Sequence, residues 1–366
     1  MKVTFPHMGS TLVYRKLVKM LGHEAISPPR PSQRTIDLGV KHSPEFACFP
    51  MKVIMGSYIE ALEKGAEVIL TSGGHGPCRA GFYGEMHKRI LNNLGYDVDV
   101  WVFDSIKRDY SNFMNIVRKL KGNHSWMRLW TILKLLYQVA KDVDGFEMQL
   151  QTKRAYEIRK GDSTRVWDKI QHIYDGVQDE KDLKEARKQC QQLIDDVALA
   201  EVGEEQKIRI GIVGEIYVVM ESAANMKMEE TLGSLGCEVR RSHYLSEWIE
   251  HNMIPKVFSK SHEEEILKKG EKYIEIQIGG HAKETMGNIV DFHDQGFDGI
   301  IHLMPFGCLP ELVSQSIMPK LMDDLDIPVL TIALDEQTGI SNNLTRIEAF
   351  LDLIRNKKRN RLSKVS

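Results

Sequence analysis

The chain has 366 residues, 42% of them hydrophobic, and its 49 basic against 51 acidic side chains leave a net charge of −2. Single cores stop growing near roughly 250 residues, so two or three domains are expected. The even charge advertises no nucleic-acid or anionic-membrane surface, and no apolar run approaches the roughly 20 residues that a membrane span needs.

Residues 2–5 read as a strand, and 11–21 as an amphipathic helix that Ser10 or Thr11 can cap and Gly22 can end in the left-handed conformation. A strand at Ala25-Ile26, a helix over 54–64, a strand over 67–71, a helix over 84–94 and a strand over 98–103 follow. Strands alternating with helices of this length mean a parallel sheet. Residues 105–200 change to long helical periodicity, rich in Lys, Gln, Asp and Leu, with Trp126, Trp130 and Trp167 expected to anchor the packing. The first pattern resumes at 207–215 as strand, turn and a helix over 226–235, which stops at Gly236 before a strand at 238–240. A helical stretch over 245–272, strands over 299–303 and 328–332 and a terminal helix over 345–354 complete it. Lys19-Met20-Leu21-Gly22-His23-Glu24-Ala25 resembles Gly233-Ser234-Leu235-Gly236-Cys237-Glu238-Val239, which suggests two like units. The expectation is an α/β fold: a Rossmann-like parallel-sheet domain over 1–105, an inserted helical domain over 106–205 and a second Rossmann-like domain over 206–366.

Five cysteines without a secretory pattern at the N-terminus suggest a cytoplasmic chain and thiolate chemistry rather than disulfides. Three share one setting: Cys48 in Phe46-Ala47-Cys48-Phe49-Pro50, Cys78 in Gly74-His75-Gly76-Pro77-Cys78-Arg79, and Cys308 in Pro305-Phe306-Gly307-Cys308-Leu309-Pro310. Cys78 and Cys308 each follow an apolar strand, and ligands of open parallel sheets collect outside the carboxyl ends of strands. Gly and Pro beside each thiol let the backbone approach a bulky centre. Soft thiolates select zinc or an iron–sulfur group. Zinc completed by His75 or His302 stays open, although no Cys-x-x-Cys pair is present, and so do three small buried hydrophobes. Cys190, within the polar helix over 184–194, and Cys237, after a helix stop, lack the setting and are expected to be structural.

Other polar groups fall at the same edge. Glu215 closes Gly211-Ile212-Val213-Gly214-Glu215, a strand-to-helix turn that is no dinucleotide fingerprint; the turn is tight packing, or Glu215 faces a cofactor. His75 is a turn residue or a proton relay beside Cys78, and Glu336 ends the last strand, either moving protons or pairing with Arg346. Arg79 would offset thiolate charge or is a surface arginine, while His7 and His302 are expected to be structural.

The linked motifs Cys48-Phe49-Pro50-Met51-Lys52, Gly76-Pro77-Cys78-Arg79-Ala80-Gly81-Phe82-Tyr83, Pro305-Phe306-Gly307-Cys308-Leu309-Pro310-Glu311 and Asp335-Glu336-Gln337-Thr338-Gly339, running on to Thr345-Arg346-Ile347-Glu348-Ala349-Phe350, resemble the 2-hydroxyacyl-CoA dehydratase component D family, and more closely its activase-related branch of unassigned function. The resemblance implies a [4Fe-4S] cluster on Cys48, Cys78 and Cys308, or a double-cubane cluster if a second copy or a paired subunit shares its thiolates. It also implies oxygen sensitivity, a separate ATP-dependent activase that delivers low-potential electrons, and reduction or reductive dehydration of a small substrate. His75, Glu215 and Glu336 are the residues expected to move protons. Two other classes stay open: a non-catalytic iron–sulfur carrier or assembly partner, and a metal-free Rossmann-like binding module.

Overall fold

Two four-stranded parallel sheets organise the chain, in a computed structural model that describes residues 1–73, 78–103, 109–253 and 262–362. The first contains β1 (Lys2–Thr4), β2 (Glu24–Ala25), β3 (Val68–Ser72) and β4 (Asp99–Phe103) in the order β2-β1-β3-β4. The second contains β5 (Ile208–Gly214), β6 (Cys237–Arg241), β7 (Gly299–Pro305) and β8 (Val329–Leu334) in the order β6-β5-β7-β8. Both Rossmann-like sheets thus repeat one topology. β7 is buried along its whole length, which is why it reads as an unbroken apolar run rather than an alternating one.

The chain divides into two compact units: Met1–Glu147 with Arg165–Asp195 and Tyr244–Ser261, and Met148–Thr164 with Asp196–His243 and His262–Ser366. Between β4 and β5 the chain is helical, with Tyr110–Lys121, Trp126–Lys153, Asp162–Gly176 and Glu180–Asp195. Ile132, Ile170, Tyr174 and Cys190 are fully covered there. Trp126 and Trp130, expected as anchors, instead lie on the exposed face of their helix, and Trp167 is half-buried. One turn apart, the first two share a face, and it is the opposite face that carries Ile132 and Val139 into the core.

The repeat extends to a helix pair in each unit. Helix Gln33–His42 lies against Phe49–Glu63 so closely that a Cβ on Gly39 would stand 1.8 Å from the Lys52 carbonyl oxygen, and one on Gly56 1.8 Å from that of Thr35. In the second unit His262–Glu271 meets Ala282–Asp294, with Gly270 bringing its would-be Cβ to 2.1 Å from the Lys283 oxygen and Gly287 to 2.0 Å from that of Ile266. In the second pair the glycine contacts lie beside an apolar stripe, Ala282, Met286, Ile289 and Phe292, that enters the core at helical spacing. Helix Phe49–Glu63 starts earlier than the expected residue 54, because Pro50 is tolerated within a first turn.

The two edge strands β2 and β6 each follow a left-handed glycine, Gly22 at φ +79° and Gly236 at φ +82°, so the similar heptapeptides occupy equivalent places.

Candidate functional site

In a parallel α/β unit the helices run against the strands, so helix N-termini gather at the carboxyl edge of the sheet, where ligands bind. Cys48 is the N-cap of Phe49–Glu63, with Pro50 at the second helical position. Cys78 stands just ahead of Ala80–Asn93, whose N-cap is Arg79. Negative charge is favoured at both places by the helix dipole and by unpaired amide groups.

Helix Ala80–Asn93 grips the Cys48 turn with two side chains one turn apart. The Tyr83 hydroxyl lies 2.8 Å from Cys48 Sγ. His87 donates through Nε2 to the Met51 carbonyl at 3.2 Å, inside the first turn that Cys48 caps. Arg79 adds a third tie, from Nη1 to the Phe46 carbonyl at 2.8 Å. Burial drives His87 down to about 4, so the ring is neutral, and its edge meets Tyr58 with 5.2 Å between ring centroids. Burial first, and then the neighbouring Cys48, lift Tyr83 well above the ordinary phenol range. Tyrosine therefore keeps its proton and is the donor toward a Cys48 thiolate. His75 lies outside the described residues.

In the second unit Cys308, buried, is the N-cap of Leu309–Leu325, and Pro310 repeats the Cys-x-Pro start of the Cys48 helix. Gly307 turns the chain at φ +69°, a conformation that disfavours any residue with a Cβ, and the Cys308 amide closes the turn on the Pro305 carbonyl at 3.0 Å. Cys308 follows β7 as Cys78 follows β3, and β3 and β7 hold the same place in their sheets.

Glu215 follows β5, the strand next to β7, across the point where the strand order reverses. Gly214, at φ +135°, packs so tightly that a Cβ there would reach 1.8 Å from the Leu303 oxygen. The Glu215 carboxylate accepts from the Val218 amide at 3.1 Å, and desolvation raises it above the usual carboxylate range. His302, expected to be structural, is fully buried on β7, with Nε2 2.8 Å from Glu311 Oε2 and Nδ1 3.2 Å from Thr331 Oγ1. Thr285 donates its hydroxyl to the same Glu311 at 3.1 Å. Glu336 stands half-buried after β8, in a turn that Thr338 closes by donating to Asp335 Oδ1 at 2.9 Å. Arg346 donates to the Thr331 carbonyl at 2.8 Å.

Cys190 and Cys237 are fully buried, and desolvation lifts their thiols to about 11 and about 12, as suits packing rather than ligation. Among the described residues, no group of three or more His, Cys, Asp or Glu is arranged to hold a metal ion, and no helix is long and apolar enough to cross a membrane. Tyr83, His87 and Glu311 were not anticipated as site residues. The available signal was their spacing, one and two turns after Cys78 and one turn after Cys308.

Two Rossmann-like sheets, each with a cysteine capping a helix at its carboxyl edge, define an α/β protein that presents cysteines there. The chain belongs to the 2-hydroxyglutaryl-CoA dehydratase, D-component family, whose model matches residues 16–354. It is thus a component of the 2-hydroxyacyl-CoA dehydratase type, from a family associated with iron–sulfur groups and an activator partner. Comparison with curated proteins finds no match.

Proposed function

We propose that the chain is an iron–sulfur component that accepts low-potential electrons from an ATP-dependent activase and uses them for reduction or reductive dehydration of a small substrate. Cys48, Cys78 and Cys308 are the proposed ligands. The observation that supports the reading is that Cys48 and Cys308 cap helices in Cys-x-Pro starts and Cys78 stands just ahead of one, whereas Cys190 lies within a helix and Cys237 within a strand. Such a donor set is soft, anionic and supported by helix dipoles, which fits a [4Fe-4S] cluster. Bound there, the cluster would supply one-electron chemistry and a coordination position that three thiolates leave open. A double-cubane cluster would require further thiolates from a second copy of the chain or a paired subunit.

The protein side of the chemistry falls to its own residues. Tyr83 holds Cys48 through its hydroxyl, Arg79 brings a cation to the Phe46 carbonyl two residues before Cys48, and His87 fixes the helix that Cys48 caps. Glu215, Glu336 and His75 are the proposed proton-moving groups. A second reading, a non-catalytic cluster carrier, draws on the exposed Phe46, Phe82, Phe306 and Leu309 beside the thiols, which offer apolar contact to an acceptor protein.

Oxygen-free purification followed by iron and sulfide analysis and electron paramagnetic resonance tests the common core of both readings. Cys78→Ala is expected to abolish normal cluster binding and Cys190→Ala to preserve it; equal iron content in the two variants refutes the ligand assignment. Reoxidation of activase-reduced protein by a small substrate favours the enzyme, and rapid cluster loss to an acceptor lacking one favours the carrier.

A further inference from the structure

We propose that the second unit holds one exchangeable proton on a partly buried acid–imidazole cluster centred on the buried Glu284, and that this proton answers changes of charge at Cys308. Its role at Cys308 rests on the iron–sulfur reading above; the proton site itself does not. Glu284 lies in the first turn of helix Ala282–Asp294, and its Oε2 is buried without a hydrogen-bond partner, while Gln277 serves the carboxylate from its side chain. Glu215 arrives from β5, and Glu311 from the first turn of the helix that Cys308 caps. Three imidazoles accompany these carboxylates: His302 at Glu311, His281 toward Glu215 and Glu284, and His243 against His281. His243 donates to the Gly214 carbonyl at 3.1 Å and meets His281 edge-on, with ring centroids 4.9 Å apart. Burial, reinforced by His281, drives His243 down to about 3, which makes it a neutral spacer. His302 is committed to Glu311 at 2.8 Å. That leaves His281, which acts electrostatically on both Glu215 and Glu284.

The charges therefore do not balance. Three carboxylates gather here, and the neighbouring fixed cations Arg241 and Lys283 are engaged elsewhere. Arg241 donates to the His243 carbonyl at 3.0 Å and pairs with the buried Glu229 at 3.1 Å. Lys283 pairs with Glu271 at 3.6 Å and donates to the Glu275 carbonyl at 3.0 Å. A buried carboxylate without a counterion is relieved by taking up a proton. Desolvation raises both Glu215 and Glu284; His281 opposes it at each, and Glu311 adds to it. Glu284 is the place where an oxygen needs the proton, because its Oε2 is buried without a partner.

Negative charge added one helical turn from Glu311 strengthens proton binding, and its removal weakens it. The test is infrared difference spectroscopy of the full-length protein, iron-free and iron-loaded, across pH 5 to 9. The expected result is a protonated-carboxyl band at pH 7 that shifts in deuterated water, is lost in Glu284→Gln and persists in the surface control Glu348→Gln. In loaded protein the pH dependence of the midpoint potential should flatten in Glu284→Gln. A wild-type protein with no such band at pH 7 overturns the proposal without any variant, as does a band unchanged in a folded Glu284→Gln protein. A band present in protein that binds no iron under any condition leaves the proton site standing and removes the iron–sulfur reading instead.

Discussion

His87 offers the sharpest test of how the first unit holds its thiols. The ring is 2% exposed, donates to the Met51 carbonyl through Nε2 and leaves Nδ1 buried without a partner, so the fold accepts only the neutral imidazole. Its value falls from the ordinary 6.5 to about 4, with burial as the first cause. A depressed histidine contributes its full stability above 6.5 and loses it as pH falls toward 4, because the unfolded chain takes up the proton first. Each pH unit of separation is about 1.4 kcal/mol, so the loss approaches about 3 kcal/mol in strong acid and reaches about 2 kcal/mol at pH 5. No discount for solvent screening applies to so buried a ring. Urea unfolding of iron-free protein at pH 7 and pH 5, wild type against His87→Gln, measures it. Other titrating groups are common to both proteins, so wild type should lose about 2 kcal/mol more than the variant. Equal losses would refute the clamp, and with it the account of how helix Ala80–Asn93 fixes the Cys48 turn.

Gly56→Ala and Gly287→Ala separate helix propensity from packing: propensity alone gives a gain of about 1 kcal/mol, whereas overpacking gives a loss of about 1–3 kcal/mol. With carbonyl oxygens 1.8 and 2.0 Å from the added carbons, both variants should be destabilised in urea, and a stabilised variant would contradict the close helix contact. Tyr83→Phe removes the donor to Cys48, so alkylation of Cys48 in iron-free protein at pH 7 should slow about tenfold relative to Cys78. An unchanged ratio would show that the hydroxyl does not support the thiolate. Cys190 and Cys237, fully buried with thiols lifted to about 11 and about 12, should resist iodoacetamide at pH 8 until the protein unfolds; mass spectrometry of the native reaction checks this.

The strands were legible because buried parallel strands are apolar β-branched runs, as β5 and β7 are, and Gly22 and Gly236 marked helix ends that the structure places in the left-handed region. The start of the Cys48 helix was not. Phe49-Pro50-Met51 looks like a turn, and only the cap geometry reveals that the proline sits where a helix lacks amide partners anyway. Helices Gln33–His42 and Ala282–Asp294 were not expected, although Ala282, Met286, Ile289 and Phe292 recur at helical spacing in the second and enter the core together. Tyr83 and His87 act on groups 35 and 36 residues away, a pairing that local pattern cannot reach. Trp126 and Trp130 misled because side-chain size says nothing about which helix face is covered.

The repeat also bears on why the chain has three such thiols and not four. Gly39 meets Lys52 and Gly270 meets Lys283, thirteen positions on in each unit, while Thr35 meets Gly56 and Ile266 meets Gly287, twenty-one positions on in each. That common spacing sets the register of the two helix pairs against each other. Cys48, four residues before Lys52, then corresponds to Gly279, four before Lys283. Gly279 and Gly280 turn the chain at φ +78° and φ +60°, a path that a cysteine would adopt only under strain. This turn delivers His281 and Glu284 to the carboxyl edge in place of a thiol. Cys78 and Cys308, by contrast, correspond directly, each after the third strand of its sheet. One architectural plan thus carries two thiols in the first unit and one thiol with acids and imidazoles in the second. On the reading proposed here, the position that would have supplied a fourth ligand supplies proton chemistry instead.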